Sequence, residues 1–173
     1  MPISAVLLDR DGTINVKAPE GDYVTHPDQV VLLPRAAAAI RLLNERRIPV
    51  AVVTNQRGVA LGRMTEGDLE GVHARLAELL ALEGARVDAI FHCPHDVGVC
   101  RCRKPGTLML ERAAQCLGAD GFANVVMIGD SAADVAAGHG VGARTVLLGS
   151  SDLPRAGGEC APSLWDAVHA IVS

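Results

Sequence analysis

The chain has 173 residues and a formal net charge of −4, with 49% hydrophobic but only 2% aromatic residues. That length suits one domain, expected over residues 1–173, with a core that Ala, Val, Leu and Ile must fill. Scarce aromatic rings and net negative charge argue against nucleic acid as a partner, and no apolar run approaches the length of a membrane span.

The N-terminus lacks the basic-then-apolar form of a signal peptide, so a soluble, cytoplasmic protein is expected. The first element is the run Ala5-Val6-Leu7-Leu8, which reads as a buried parallel strand. It delivers Asp9-Arg10-Asp11-Gly12-Thr13 at its C-terminal end, the end where open α/β sheets bind ligands. Two carboxylates two residues apart suit a nucleophile and a proton carrier. Gly12 allows close backbone approach, and Thr13 can donate to an anion. Taken alone, the string is equally a solvated Asp-Gly turn.

Residues 15–33 lack periodicity and read as a loop able to fold over the site mouth, with Tyr23 and His26 facing solvent. A helix follows from Ala36 to Arg47, then a second strand at Val50–Val53. That strand ends in Thr54-Asn55-Gln56-Arg57-Gly58, a plausible anion cradle or a polar turn. Thr65 caps a helix reaching about Gly84, in which His73 reads as structural or solvated.

A third strand, Asp88–His92, runs into Cys93-Pro94-His95 and, four residues on, Cys100-Arg101-Cys102. Two such short pairs converging across a Gly-containing turn form a closed Cys₃His set for structural zinc, with no position left for a catalytic water. Arg103-Lys104-Pro105 follows at once, so that loop would fix Lys104 as a partner for phosphate or carboxylate. Next come a helix over Thr107–Leu117, with Cys116 as a small core residue, and a fourth strand, Val125–Ile128. The latter delivers Gly129-Asp130-Ser131, with Asp134 one helical turn on. Asp130 can converge with Asp9 on Mg²⁺. A strand over Arg144–Leu148, a loop from Gly149 to Pro162 and a helix capped by Ser163 complete the chain. Alternating strands and helices predict a doubly wound, Rossmann-like parallel sheet.

D-R-D-G-T at 9–13, T-N-Q at 54–56, C-R-K-P at 102–105 and G-D-S-x-x-D at 129–134 together resemble the haloacid dehalogenase superfamily across nearly the whole chain. Short gaps between them leave no room for a separate cap domain. The C-x-H…C-x-C loop is similar to the zinc-containing branch acting on heptose 1,7-bisphosphate or histidinol phosphate. The resemblance implies Asp9 as nucleophile forming an aspartyl phosphate and Asp11 as general acid/base, with its carbonyl on Mg²⁺. It implies Thr54 and Lys104 as phosphoryl-holding groups, Asp9 and Asp130 as Mg²⁺ ligands, and Asp134 in support of Lys104 or a metal-bound water. Gly12, Thr13, Asn55, Gln56 and Arg103 would face a small phosphorylated metabolite, most simply a sugar bisphosphate. Cys93, His95, Cys100 and Cys102 would hold Zn²⁺.

One departure stands out. Where the heptose branch commonly reads S-G-[IV]-A-R-G, this chain has Arg57-Gly58-Val59-Ala60-Leu61-Gly62. Arg57, or Arg63, could replace the arginine missing at Leu61 as a fork for the non-reacting phosphate, and Arg57 reads equally as an exposed loop cation. A phospho-accepting receiver module is the competing reading from another class, and a non-catalytic zinc module a third. The receiver reading is disfavoured because the first motif is D-x-D and the third strand ends in the zinc loop.

Overall fold

Aliphatic runs too short to form helices become strands when each can be covered on both faces. The computed structural model describes residues 2–149 and 158–173. Its six strands are β1 (Ala5–Leu8), β2 (Val50–Asn55), β3 (Ala89–Cys93), β4 (Val125–Gly129), β5 (Arg144–Leu148) and β6 (Glu159–Ala161). They form one parallel sheet in the order β3-β2-β1-β4-β5-β6. The chain steps outward from β1 to β2 and β3, then returns to the other side of β1 for β4, β5 and β6. That reversal leaves a crevice at the carboxyl ends of β1 and β4. The fold is the doubly wound α/β architecture that the sequence implies.

Alternation along the strands sorts the core into two layers. Val6, Leu8, Val50, Val52, Val126 and Ile128 face α1 (Ala36–Glu45), α2 (Glu66–Leu82) and α5 (Leu164–Val172). Ala5, Leu7, Ala51, Val53, Val125 and Met127 face α3 (Leu108–Cys116) and α4 (Ala132–Val141). Helix starts follow local chemistry: Thr65 with Asp68, and Ser131 with Asp134, form reciprocal capping boxes. In α4 the box turns Asp134 back toward the strand it follows.

Two expectations are corrected. Glu159–Ala161 is an edge strand, not loop, paired in parallel with β5. Three residues carry no periodicity to read; a two-pronged Arg144–Glu159 ion pair at 2.6 and 2.8 Å ties it to its neighbour. The rest of the expected 149–162 loop, residues 150–157, lies outside the described residues. Cys116 is exposed, not core, because α3 buries Met109, Leu110, Ala113 and Ala114 and turns Cys116 away.

Candidate active site

Strand register places the acidic residues. Leu8 pairs with both Val52 and Ile128, so Asp9, Thr54 and Asp130 leave the sheet at neighbouring points on one edge. Asp9 is 8% exposed and Asp134 1%, while Lys104 is 3% exposed. The Lys104 ammonium donates to Asp9 Oδ1 at 2.8 Å, to Asp134 Oδ1 at 2.5 Å and to the Val53 carbonyl at 2.7 Å. Burial pulls the Lys104 pKa down, but the two carboxylates outweigh it and hold the group above its ordinary value. Burial pushes Asp9 up to about 7; Lys104 opposes the rise and the Asp134 and Asp130 charges add to it.

Asn55 explains how Lys104 reaches that point. Its side-chain amide accepts from Lys104 N at 2.9 Å and donates to Lys104 O at 3.0 Å, so the end of β2 grips the lysine's own peptide. Asn55 lines the cleft, but both ends of its amide are committed to the backbone.

Three carboxylate oxygens, one each from Asp9, Asp130 and Asp134, lie within 4.8 Å of one another. Asp130 Oδ1 is buried and has no hydrogen-bond partner. Three negative groups face two ammonium groups there, Lys104 and Lys17, whose Nζ reaches Asp130 Oδ2 at 2.5 Å. Hard oxygen donors, excess negative charge and an orphaned acceptor fit a hard divalent cation. Glycine is required beside it: Gly12 has φ +81°, and a Cβ there would collide with the Asp130 carboxylate.

Asp11 is clamped. Arg10 donates Nε to Oδ1 at 3.2 Å and Nη2 to both oxygens at 3.0 Å. Asn15 Nδ2 reaches Oδ1 and Gln56 Nε2 reaches Oδ2, each at 2.9 Å. Gln56 also donates to Thr54 Oγ1 at 2.8 Å.

A cleft of about 460 Å³ opens over these groups, lined by Asp9, Asp11, Thr54, Asn55, Arg103, Lys104, Asp130, Ser131 and Asp134. Its outer wall is the segment from Lys17 to Val24, including Tyr23, which packs against Gly58 instead of standing free. Arg103 Nη1 is buried and unpartnered beside this space. Gly12, Thr13, Gln56 and Arg57 are not among the cleft-lining residues. Thr13 is fully buried with an unpartnered hydroxyl. Arg57 donates Nε to Asp96 at 2.6 Å, joining the T-N-Q loop to the cysteine loop. Lys17, Arg10 and His73 belong to the site's surroundings without having been singled out for it in the sequence.

The cysteine loop brings Cys93, His95, Cys100 and Cys102 together, all four donor atoms within 4.8 Å of one another. The Cys93 sulfur lies 3.5 Å from that of Cys100 and 3.3 Å from that of Cys102. His95 Nδ1 is 3.4 and 3.2 Å from Cys93 and Cys102. Sulfurs bound tetrahedrally to one zinc at about 2.3 Å stand roughly 3.7 Å apart, so the set has the size and donor chemistry for that ion.

With this geometry in hand, comparison with known proteins is decisive. Over 178 aligned residues the chain is 36% identical to the D-glycero-beta-D-manno-heptose-1,7-bisphosphate 7-phosphatase of Pseudomonas aeruginosa, covering 100% of this chain and 98% of that one. The chain belongs to the haloacid dehalogenase superfamily. An HAD-hydrolase-like family model matches residues 101–164, from the cysteine loop to the start of α5. The D-glycero-alpha-D-manno-heptose-1,7-bisphosphate 7-phosphatase of Mycobacterium tuberculosis is 34% identical over 96% of this chain and 90% of its own. A crystal structure of D,D-heptose 1,7-bisphosphate phosphatase from B. bronchiseptica, complexed with magnesium and phosphate, superposes with a TM-score of 0.88. Identity there is 30%, over 99% of this chain and 98% of that one. Members of the superfamily at 12–16% identity share the fold.

His73 supplies a test of the buried network. Its Nε2 faces Arg10 Nη1 at 2.9 Å, and burial, with Arg10 and His92 adding, lowers its pKa from 6.5 to about 3. Between those values the unfolded chain binds a proton that the folded chain does not, so stability is lost as pH falls below 6.5. Going from pH 6.5 to 5.5, the wild type should lose about 1 kcal/mol more stability than His73→Gln in denaturant titrations.

Proposed function

We propose that this protein is a Mg²⁺-dependent phosphomonoesterase that removes the 7-phosphate of D-glycero-D-manno-heptose 1,7-bisphosphate through an aspartyl phosphate. The observation that carries the reading is the buried Asp9–Lys104–Asp134 row beside an unpartnered Asp130 oxygen, in a cleft open to solvent. The relatives' names and their near-complete coverage of this chain support the substrate.

Asp9 attacks phosphorus in line with the ester oxygen. As the P–O bond breaks, Asp11 as the carboxylic acid gives its proton to the leaving alkoxide. Asp11, now a carboxylate, then takes a proton from water; that oxygen attacks phosphorus, the aspartyl P–O bond breaks and inorganic phosphate leaves. Lys104 offsets the repulsion between Asp9 and the incoming dianion, and Thr54 donates to a phosphoryl oxygen. Asp9, Asp130 and the Asp11 carbonyl would hold a Mg²⁺, which would supply charge neutralisation at the reacting phosphate. Asp134 acts by holding Lys104. Cys93, His95, Cys100 and Cys102 would hold zinc and so pin the loop that carries Arg103 and Lys104.

For the second phosphate, Lys17 and Arg103 are the cations at the cleft rim, since Arg57 does not line the cleft and pairs with Asp96 away from it. Arg57 then serves recognition by bracing the loop through Asp96. Lys17→Met should raise KM for the bisphosphate about tenfold and change KM for a heptose 7-monophosphate little, with kcat preserved in both. Equal KM changes would assign the second phosphate elsewhere.

The reading is tested by phosphate release from heptose 1,7-bisphosphate and histidinol phosphate, with and without Mg²⁺. The bisphosphate should be turned over only with the metal, and far faster than histidinol phosphate. Asp9→Asn should fold and lose turnover completely, since an amide is no nucleophile. A stable phosphoprotein formed from acetyl phosphate without release would instead support the receiver reading.

Cys100→Ser should lose zinc by elemental analysis and unfold at a lower temperature than the wild type, because metal binding is coupled to folding of the loop. Dialysed wild-type protein without zinc would remove the structural-metal assignment.

A further inference from the structure

Arg10 is among the largest fully buried side chains of the molecule, 1% exposed, and the chemistry above makes no use of it. A guanidinium is always charged and presents its donors in a rigid planar fork. Three of its hydrogen bonds go to Asp11. The remaining contact is Nη1 to His73 Nε2, contributed by α2 sixty-three residues away. Arginine cannot accept, so Nε2 is the acceptor and the imidazole is neutral with its proton on Nδ1. The depressed His73 pKa agrees with that state.

We propose that Arg10, oriented by His73, positions the Asp11 carboxyl group, which gives its proton to the leaving oxygen as the acid and takes one from water as the carboxylate. This rests on the reading of Asp11 as the general acid/base. A carboxylate held by both oxygens in a planar fork has one orientation open to it, whereas Asn15 and Gln56 alone reach one oxygen each. The guanidinium keeps its contacts to both Asp11 oxygens only while its far side is fixed. His73 provides that fixed point, and without it Nη1 is a buried donor with no partner. His73 sits in turn against His92, ring centroids 5.9 Å apart, and His92 Nε2 faces Glu66 at 2.8 Å. The row therefore runs from Asp11 to Glu66 at the start of α2. Small displacements of a proton donor are costly, because reaction depends on near-contact geometry.

The test uses leaving-group chemistry with the intact chain in Mg²⁺. The value of kcat/KM reports formation of the aspartyl phosphate. Heptose bisphosphate needs a proton on its departing alkoxide, whereas p-nitrophenyl phosphate releases a stable phenolate and needs none. His73→Leu and Arg10→Met should lower kcat/KM on the heptose ester by about 10- to 100-fold, and on the nitrophenyl ester by less than about threefold. His73→Gln, whose amide oxygen can accept from Arg10, should recover most of the heptose activity. If Arg10→Met does not fold, the two His73 variants decide alone. Equal losses on both esters, or undiminished heptose activity in His73→Leu, overturn the positioning role while the phosphatase reading stands. Wild-type protein inert toward both esters overturns that reading and this inference together.

Discussion

The fixed position of one ammonium group is the constraint on which the site depends. Lys104 lies between Asp9 and Asp134 in a space almost closed to solvent, where an isolated carboxylate would be strongly disfavoured. A nucleophilic carboxylate must be ionised, yet burial alone pushes Asp9 toward its neutral form. The lysine opposes that shift, and the divalent cation proposed for Asp9 and Asp130 would complete the compensation. Without them, the carboxyl edge of the sheet would hold three mutually repelling acids.

Much of the surrounding architecture exists to keep Lys104 there. Asn55 clasps its peptide from the end of β2, the Ser131–Asp134 capping box aims the second carboxylate, and the cysteine loop delivers the residue from the far side. That loop has little regular secondary structure, and its Cys93, His95, Cys100 and Cys102 donor atoms converge within 4.8 Å of one another, where a bound metal would substitute for backbone ladders. Arg57 to Asp96 adds a bond between the two loops. Charge placement, capping and metal chemistry thus converge on one side chain.

The absence of a cap among the described residues moves recognition to the rim. Lys17 to Val24 walls the cleft on one side and Arg103 on the other, with the reacting centre beneath. An anionic substrate meets cations at the mouth before the acidic centre, which suits a sugar carrying phosphate at both ends. Asp11, the proposed proton carrier, is held from behind by a buried arginine almost closed to solvent. Division of labour follows depth: binding at the rim, phosphoryl chemistry at the sheet edge, and orientation from within the core.

The local pattern of the chain determines the sheet, its helices and the identity of the acidic and sulfur ligands. Val50–Val53 and Val125–Ile128 are short, mostly β-branched aliphatic runs ending in polar turns, and their length and composition favour buried parallel strands. The C-x-H and C-x-C pairs likewise carry their geometry in their spacing. Partners brought together by packing are another matter. Arg10 meets His73, Lys17 meets Asp130 across 113 residues, and Arg57 turns to Asp96. No periodicity encodes these pairs, because each depends on which helix covers which face of the sheet. Glu159–Ala161 becomes a strand for the same reason: β5 presents an open edge, and only the folded sheet creates that edge. Sequence chose the reacting groups; tertiary packing chose what orients them, since orientation is a property of neighbours distant along the chain.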